Sequence, residues 1–324
     1  MRDTDYAYAV ARIRANENGL LPNSAVAQLI ACPGYEEAVK QLRSRGLDIV
    51  GADYESALKE RLRSSWALIQ EILPEKDALD WLIIENDFYN LKISLKAEYG
   101  DLKGYERLFA RPSAFDPAEI DRAIAKHEFE KLPELLKEPA ELGFKVLRET
   151  DFAQVSDSVL DRCCIETMAG LAEKAKDGFA KEINRLRCAF ACIRTFYRCT
   201  LLKKPESFMT HAVPTPVCGG LDTAGLIKAA CDGPAKLLEA LSHTDFADES
   251  EALKSSSAAF EIMCADRLTE TAREGGKGAF GPAPVAAYYL AVVAETECLR
   301  VILSGKLNGE PNEVISRRAR RLYV

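Results

Sequence analysis

Residues 87–95 read DFYNLKISL, and their order of charged and apolar positions returns at residues 182–190 (EINRLRCAF) and 295–303 (ETECLRVIL). Each segment has an acid first, leucine fifth, a base sixth and an apolar residue ninth. On a helix the first, fifth and ninth positions form one stripe. The base then lies beside that stripe, with its stem packed and its charge reaching outward. Three such matches predict an internal repeat of helices.

A second set of matches precedes the first. Residues 31–42, 125–136 and 230–241 align without gaps, and each is predicted to follow a short helix. The triplets PNS, FDP and LDT, which begin at Pro22, Phe115 and Leu221, supply the polar capping residues that open such helices. The two sets together predict three helical units, with boundaries at 1–104, 105–210 and 211–324.

The remaining sequence favours the same fold class. Apolar residues recur at three- and four-residue steps in segments such as 54–73, 256–273 and 285–303, and no convincing strand alternation accompanies them. We therefore predict an all-α protein. Although a length of 324 residues suggests about two ordinary domains, the repeats favour three similar units, which we expect around a pseudo-threefold axis.

Composition excludes several classes of partner. The net charge is −7 and the pI about 5.3, so we expect no nucleic-acid partner and no direct attachment to anionic lipid. The N-terminal charges predict no secretory segment, and the uncharged run 278–294 is interrupted by prolines and too short to cross a bilayer. The ten cysteines are interpreted as small buried hydrophobes.

No motif predicts catalysis. The three histidines lack metal-ligand spacing, and no aspartate-rich magnesium motif is present. The glycine-rich residues 275–281 do not have the order of a phosphate-binding loop. We accordingly expect no catalytic residue, no metal, no cofactor and no direct small-molecule ligand.

Segments spread along the whole chain resemble the C subunit of archaeal and bacterial V-type (A-type) ATPases, whose eukaryotic counterpart is the d subunit. The resemblance begins in the N-terminal helix and includes the first repeat motif and the closing segment. The residues that carry it are 6–15 with 19–21, 87–92, 280–285, 288–289, 297–309 and 320–324.

This resemblance implies a non-catalytic, funnel-shaped rotor subunit of the central stalk. It would join the shaft subunits D and F to the membrane ring of proteolipid subunits during ion transport. It would lie on the cytoplasmic side as a peripheral part of the membrane-bound complex. Two alternatives remain open: a helical scaffold protein unrelated to an ATPase, and an all-α enzyme.

Three bases are candidates for shaft contact. Lys92, Arg187 and Arg300 occupy equivalent repeat positions, so around a threefold axis they would form a ring able to face acidic shaft residues. The alternative is that each base forms an ion pair inside its own unit.

Overall fold

The computed structural model describes residues 3–175 and 177–324, and its described part is mainly helical with almost no strand. The all-α prediction is confirmed. The sixteen α-helices of the described part are α1 Ala7–Glu17, α2 Asn23–Ala31, α3 Tyr35–Ser44, α4 Tyr54–Ile72, α5 Ile84–Tyr99, α6 Pro117–Ala125, α7 Glu134–Thr150, α8 Ala153–Lys174, α9 Gly178–Leu201, α10 Glu206–Ala212, α11 Thr223–Cys231, α12 Pro234–Ser242, α13 Ala247–Ser255, α14 Ser257–Gly276, α15 Ala283–Leu307 and α16 Asn312–Arg318. Short 3-10 helices occur at Asp3–Tyr6, Asp80–Leu82, Glu106–Leu108 and Phe129–Lys131.

The chain packs into two compact units. One joins the residues up to Ala78 with Asp248–Val324, and the other is Leu79–Ala247. In the first unit α15 packs against α4 and α14 and buries residues on nearly all its sides, as expected of a helix that is apolar all round. In the second unit α8 packs against α7, α9 and α5. The three-unit division predicted from the repeats remains a prediction.

The short helices pack against a long helix from a different predicted repeat. Helix α3 packs against α15, α6 packs against α5, and α11 and α12 pack against α9. The first of these contacts is part of a core that joins Leu29 of α2 and Leu42 of α3 to Leu299 and Ile302 of α15. Packing of this kind ties together segments that lie far apart in the chain.

All three predicted short helices begin where expected, at Asn23, Pro117 and Thr223, and two of the three predicted side-chain caps form. Asp116 accepts a hydrogen bond from the backbone N–H of Ala118 at 3.2 Å, and Asp222 accepts one from Gly225 at 3.0 Å. At α2 the predicted side-chain cap is absent. The Asn23 side chain instead accepts from the Leu322 N–H and donates to the Val324 carbonyl, because it joins α2 to the C-terminal segment.

Eight of the ten cysteines are buried, as interpreted from the sequence, whereas Cys163 is half-buried and Cys231 is exposed. All ten are free thiols. Within the described residues, no helix is long and apolar enough to cross a membrane.

A small hairpin interrupts the helices, which the sequence analysis did not predict. Strands β1 Val217–Cys218 and β2 Leu221–Asp222 pair antiparallel through Gly219 and Gly220, whose φ angles are +60° and +82°. A turn with two left-handed residues favours glycine at both places. At Gly219 a Cβ atom would lie only 2.5 Å from the Ala189 backbone nitrogen on α9, so this glycine also permits the hairpin to touch the helix.

The two glycines give a matched stability test. Gly219→Ala adds backbone strain and a clash with the backbone of α9, while Gly220→Ala adds strain but meets only the flexible end of Arg185. We expect Gly219→Ala to lower the free energy of unfolding by about 2 kcal/mol more than Gly220→Ala. Urea unfolding of both variants measures the difference, and equal losses would contradict the close approach.

Candidate functional site

Lys92 lies on α5 and forms an ion pair with Asp161 on α8. One turn further along α5, Lys96 lies 3.2 Å from the carboxylate of Asp157, also on α8. The side chain of Lys92 is mostly buried, whereas that of Asp161 is mostly exposed. Two adjacent ion pairs therefore join α5 to α8.

Arg187 lies on α9 and is the most buried of the three candidate bases. Its guanidinium lies 2.6 Å from the carboxylate of Glu85 and donates to the Trp81 carbonyl oxygen at 3.1 Å. Burial opposes the charge of this guanidinium, but the Glu85 carboxylate outweighs burial and raises the pKa of Arg187. Only 11% of the Arg187 side chain is exposed, against 54% for Glu85.

Arg300 lies on α15. Its Nε atom lies 2.9 Å from the carboxylate of Glu55 at the start of α4, and its guanidinium also pairs with Glu297 on its own helix. Burial opposes the charge, but the nearby carboxylates outweigh it and raise the pKa of Arg300. This base thus joins two long helices of the same compact unit.

The three candidate bases share an arrangement that sequence spacing did not predict. Asp161, Glu85 and Glu55 are 69, 102 and 245 residues away from their basic partners. Each of these ion pairs joins two different predicted repeats, so the alternative of an ion pair inside each base's own unit is wrong for Lys92 and Arg187. Arg300 also pairs with Glu297, which belongs to its own repeat.

The acid at the first position of the repeat motif is buried and hydrogen-bonded to backbone in two of the three repeats. Asp87 is fully buried, and its two carboxylate oxygens accept the N–H groups of Ala114 and Phe115 at 3.0 Å each. Burial raises the pKa of Asp87 to about 6, while these hydrogen bonds oppose the rise. This carboxylate fixes the loop that leads into α6.

Glu295, at the equivalent position of the last repeat, has similar surroundings. It is almost fully buried, accepts the Leu21 N–H at 2.6 Å and lies 2.5 Å from Arg61. Burial raises the pKa of Glu295, with Arg61 opposing the rise. Glu182 differs, since it pairs with Arg185 one turn along the same helix.

Beside Lys92 lies a cleft of about 570 Å³ within the Leu79–Ala247 unit. Helices α5, α8, α9 and α10 and the segment after α5 form its walls. We call it the α5–α8 cleft; its charged walls include Lys92, Lys96, Asp157, Asp161, Arg198 and Lys204. Within the described residues, no group of three or more His, Cys, Asp or Glu side chains is arranged to hold a metal ion.

The helices and the ion pairs that join them define an all-α protein held together by contacts between distant segments. The model of the ATP synthase (C/AC39) subunit family matches residues 9–318. The chain belongs to that family, and the resemblance drawn from the sequence is confirmed. The family is an accessory subunit of the ATPase and not its catalytic subunit.

A curated relative supports the same family assignment. The C subunit of the V-type sodium ATPase of Enterococcus hirae is 24% identical over 281 residues, which cover 84% of this chain and 83% of the relative. The match therefore spans most of both proteins.

The buried Asp87 predicts a distinctive pH dependence. The pKa of Asp87 is about 6 in the folded protein, against an ordinary value of 3.8 that we take for the unfolded chain. Because the folded protein binds this proton more tightly, protonation of Asp87 favours folding. That contribution is fully present below about pH 4 and is lost as the pH rises through about 6. Between about pH 4 and pH 7, the free energy of unfolding of the wild type should fall by about 2 kcal/mol relative to that of Asp87→Asn.

Urea unfolding of both proteins at several pH values in this range measures the change. The comparison with the variant removes the titration of all other groups. A difference between the two proteins that does not vary with pH would show that Asp87 keeps its ordinary pKa when folded.

Proposed function

We propose that the chain is a non-catalytic central-stalk subunit of a V-type ATPase, which couples the rotor shaft of subunits D and F to the proteolipid ring. The observation that carries this proposal is the family match over residues 9–318. The relative named as the C subunit of a V-type sodium ATPase, matched over most of its length, supports it. In this role the chain lies at the cytoplasmic face of the membrane as a peripheral part of the complex.

The physical task of such a protein is to transmit torque without slipping. Densely packed helices resist deformation because their side chains interdigitate. Ion pairs at Lys92, Arg187 and Arg300 add links between helices or segments near the surface. A funnel with a pseudo-threefold axis is part of this proposal, and the recurring packing of short helices on long ones supports related units.

Binding to the shaft tests the proposal most simply. The full chain co-expressed with subunits D and F should co-elute with them in size-exclusion chromatography at micromolar concentration. An unrelated coiled-coil protein, co-expressed in place of the shaft, is the control for nonspecific association. Separate elution of chain and shaft would favour the alternative of a helical scaffold unrelated to the ATPase.

Attachment to the membrane is proposed to occur through the ring protein. The net charge of −7 disfavours an anionic lipid surface, so the chain should not sediment with vesicles of anionic lipid. It should sediment with the same vesicles when they contain the proteolipid ring. Equal sedimentation with both would contradict attachment through protein.

We also propose that Lys92, Arg187 and Arg300 contact the shaft, although each already pairs with an acid. The triple variant Lys92→Glu, Arg187→Glu and Arg300→Glu places like charges opposite Asp161, Glu85 and Glu55. We expect its melting temperature to fall by several degrees, because each ion pair becomes a repulsion. Thermal unfolding followed by circular dichroism measures the change.

Charge-swapped variants separate folding from binding. Arg187→Glu with Glu85→Arg, and Lys92→Asp with Asp161→Lys, restore opposite charges within each pair and should recover much of the melting temperature. Loss of shaft binding by these swapped variants would support contact with the shaft. Retained binding would assign the bases to the ion pairs alone.

A further inference from the structure

The α5–α8 cleft has an excess of positive charge in an otherwise acidic protein. Asp161 and Asp157 are already paired with Lys92 and Lys96. Among the described residues, Arg198 on α9 lines the cleft, has no carboxylate partner and is exposed.

Lys204 adds a second basic group at the same wall. Its ammonium donates to the Gln154 side-chain oxygen at 3.0 Å and lies 4.8 Å from the centre of the Phe208 ring. Neither neighbour is a carboxylate. The cleft thus offers two cations, Arg198 and Lys204, whose charge the described part of the protein does not neutralise by pairing.

Large apolar side chains line the same cleft as these cations. Three leucines that line the cleft are each more than half exposed: Leu102, Leu108 and Leu202. Tyr89, which also lines it, is just under half exposed. Single exposed apolar residues are ordinary on a protein surface, but several around one cleft indicate an interaction site.

We propose that the α5–α8 cleft binds an amphipathic helix of another protein of the complex, with acidic side chains placed beside an apolar stripe. This inference rests on the proposed function and extends it by naming the chemistry of one partner segment. Acidic groups of the helix pair with Arg198 and Lys204, and its apolar stripe covers Leu102, Leu108 and Leu202. An amphipathic helix in an apolar groove presents anchors at three- and four-residue steps.

The apolar rim favours a protein segment over a small ligand. The leucines at 102, 108 and 202 are exposed around the cleft, and a helix covers all three while it places its acids inside. A small anionic amphiphile or a lipid is the competing occupant, and the experiment distinguishes it by the mass of what is captured.

Photo-cross-linking in the assembled complex tests the proposal. The probe is p-benzoylphenylalanine in place of Leu202, introduced into the full chain, which is then purified with the other ATPase subunits. The matched control carries the same probe in place of Val217, which is similarly exposed and lies outside the cleft in the same compact unit. Mass spectrometry identifies the captured segment.

The expected product joins position 202 to a partner segment with acids beside an apolar stripe, and position 217 does not capture that segment. If the complex assembles but position 202 captures a basic segment, a lipid, a small molecule or nothing, this proposal is overturned while the proposed function stands. If the chain does not enter the complex, the proposed function fails and this proposal fails with it.

A charge reversal gives a second readout on the captured partner. Arg198→Glu should weaken its binding to the full chain by about tenfold, because an attraction becomes a repulsion. Lys126→Glu, at an exposed lysine just after α6 and outside the cleft, should leave the affinity unchanged. Equal affinities for the two variants would contradict a role for Arg198.

Discussion

A carboxylate buried in a helical core must accept hydrogen bonds or meet a cation, and this requirement accounts for two of the three contacts that join the predicted repeats. Asp87 accepts two backbone N–H groups from the loop before α6, and Glu295 accepts one from the loop before α2. The third contact between predicted repeats depends on close packing instead, because the hairpin before α11 touches α9 at Gly219. In each case a long helix of one predicted repeat contacts the segment that leads into the short helices of another.

Ion pairs nearer the surface reinforce these contacts. Lys92, Arg187 and Arg300 each reach an acid that lies far away in sequence and on another helix or segment of the same compact unit. An exposed ion pair alone contributes little to stability, but Arg187 is largely buried and also satisfies a backbone carbonyl. Such links oppose relative movement of neighbouring helices, which suits the proposed transmission of torque.

The sequence predicted the features that depend on residues close together in the chain. Helix α4 and the caps at Asp116 and Asp222 follow from periodicity and from side chains that bind their own backbone. The role of Asn23 was missed because its partners lie at the C-terminus. The partners of the three bases and the α5–α8 cleft were missed for the same reason: they depend on helices brought together by tertiary packing.

The proposed role of this chain is to couple ATP hydrolysis to ion movement without performing either step. The most direct measurement is ATP-driven ion uptake into vesicles that carry the ATPase assembled without this chain, before and after the purified chain is added. The account predicts hydrolysis without uptake in its absence, and recovery of uptake when it is added. Full uptake in the absence of the chain would contradict the account.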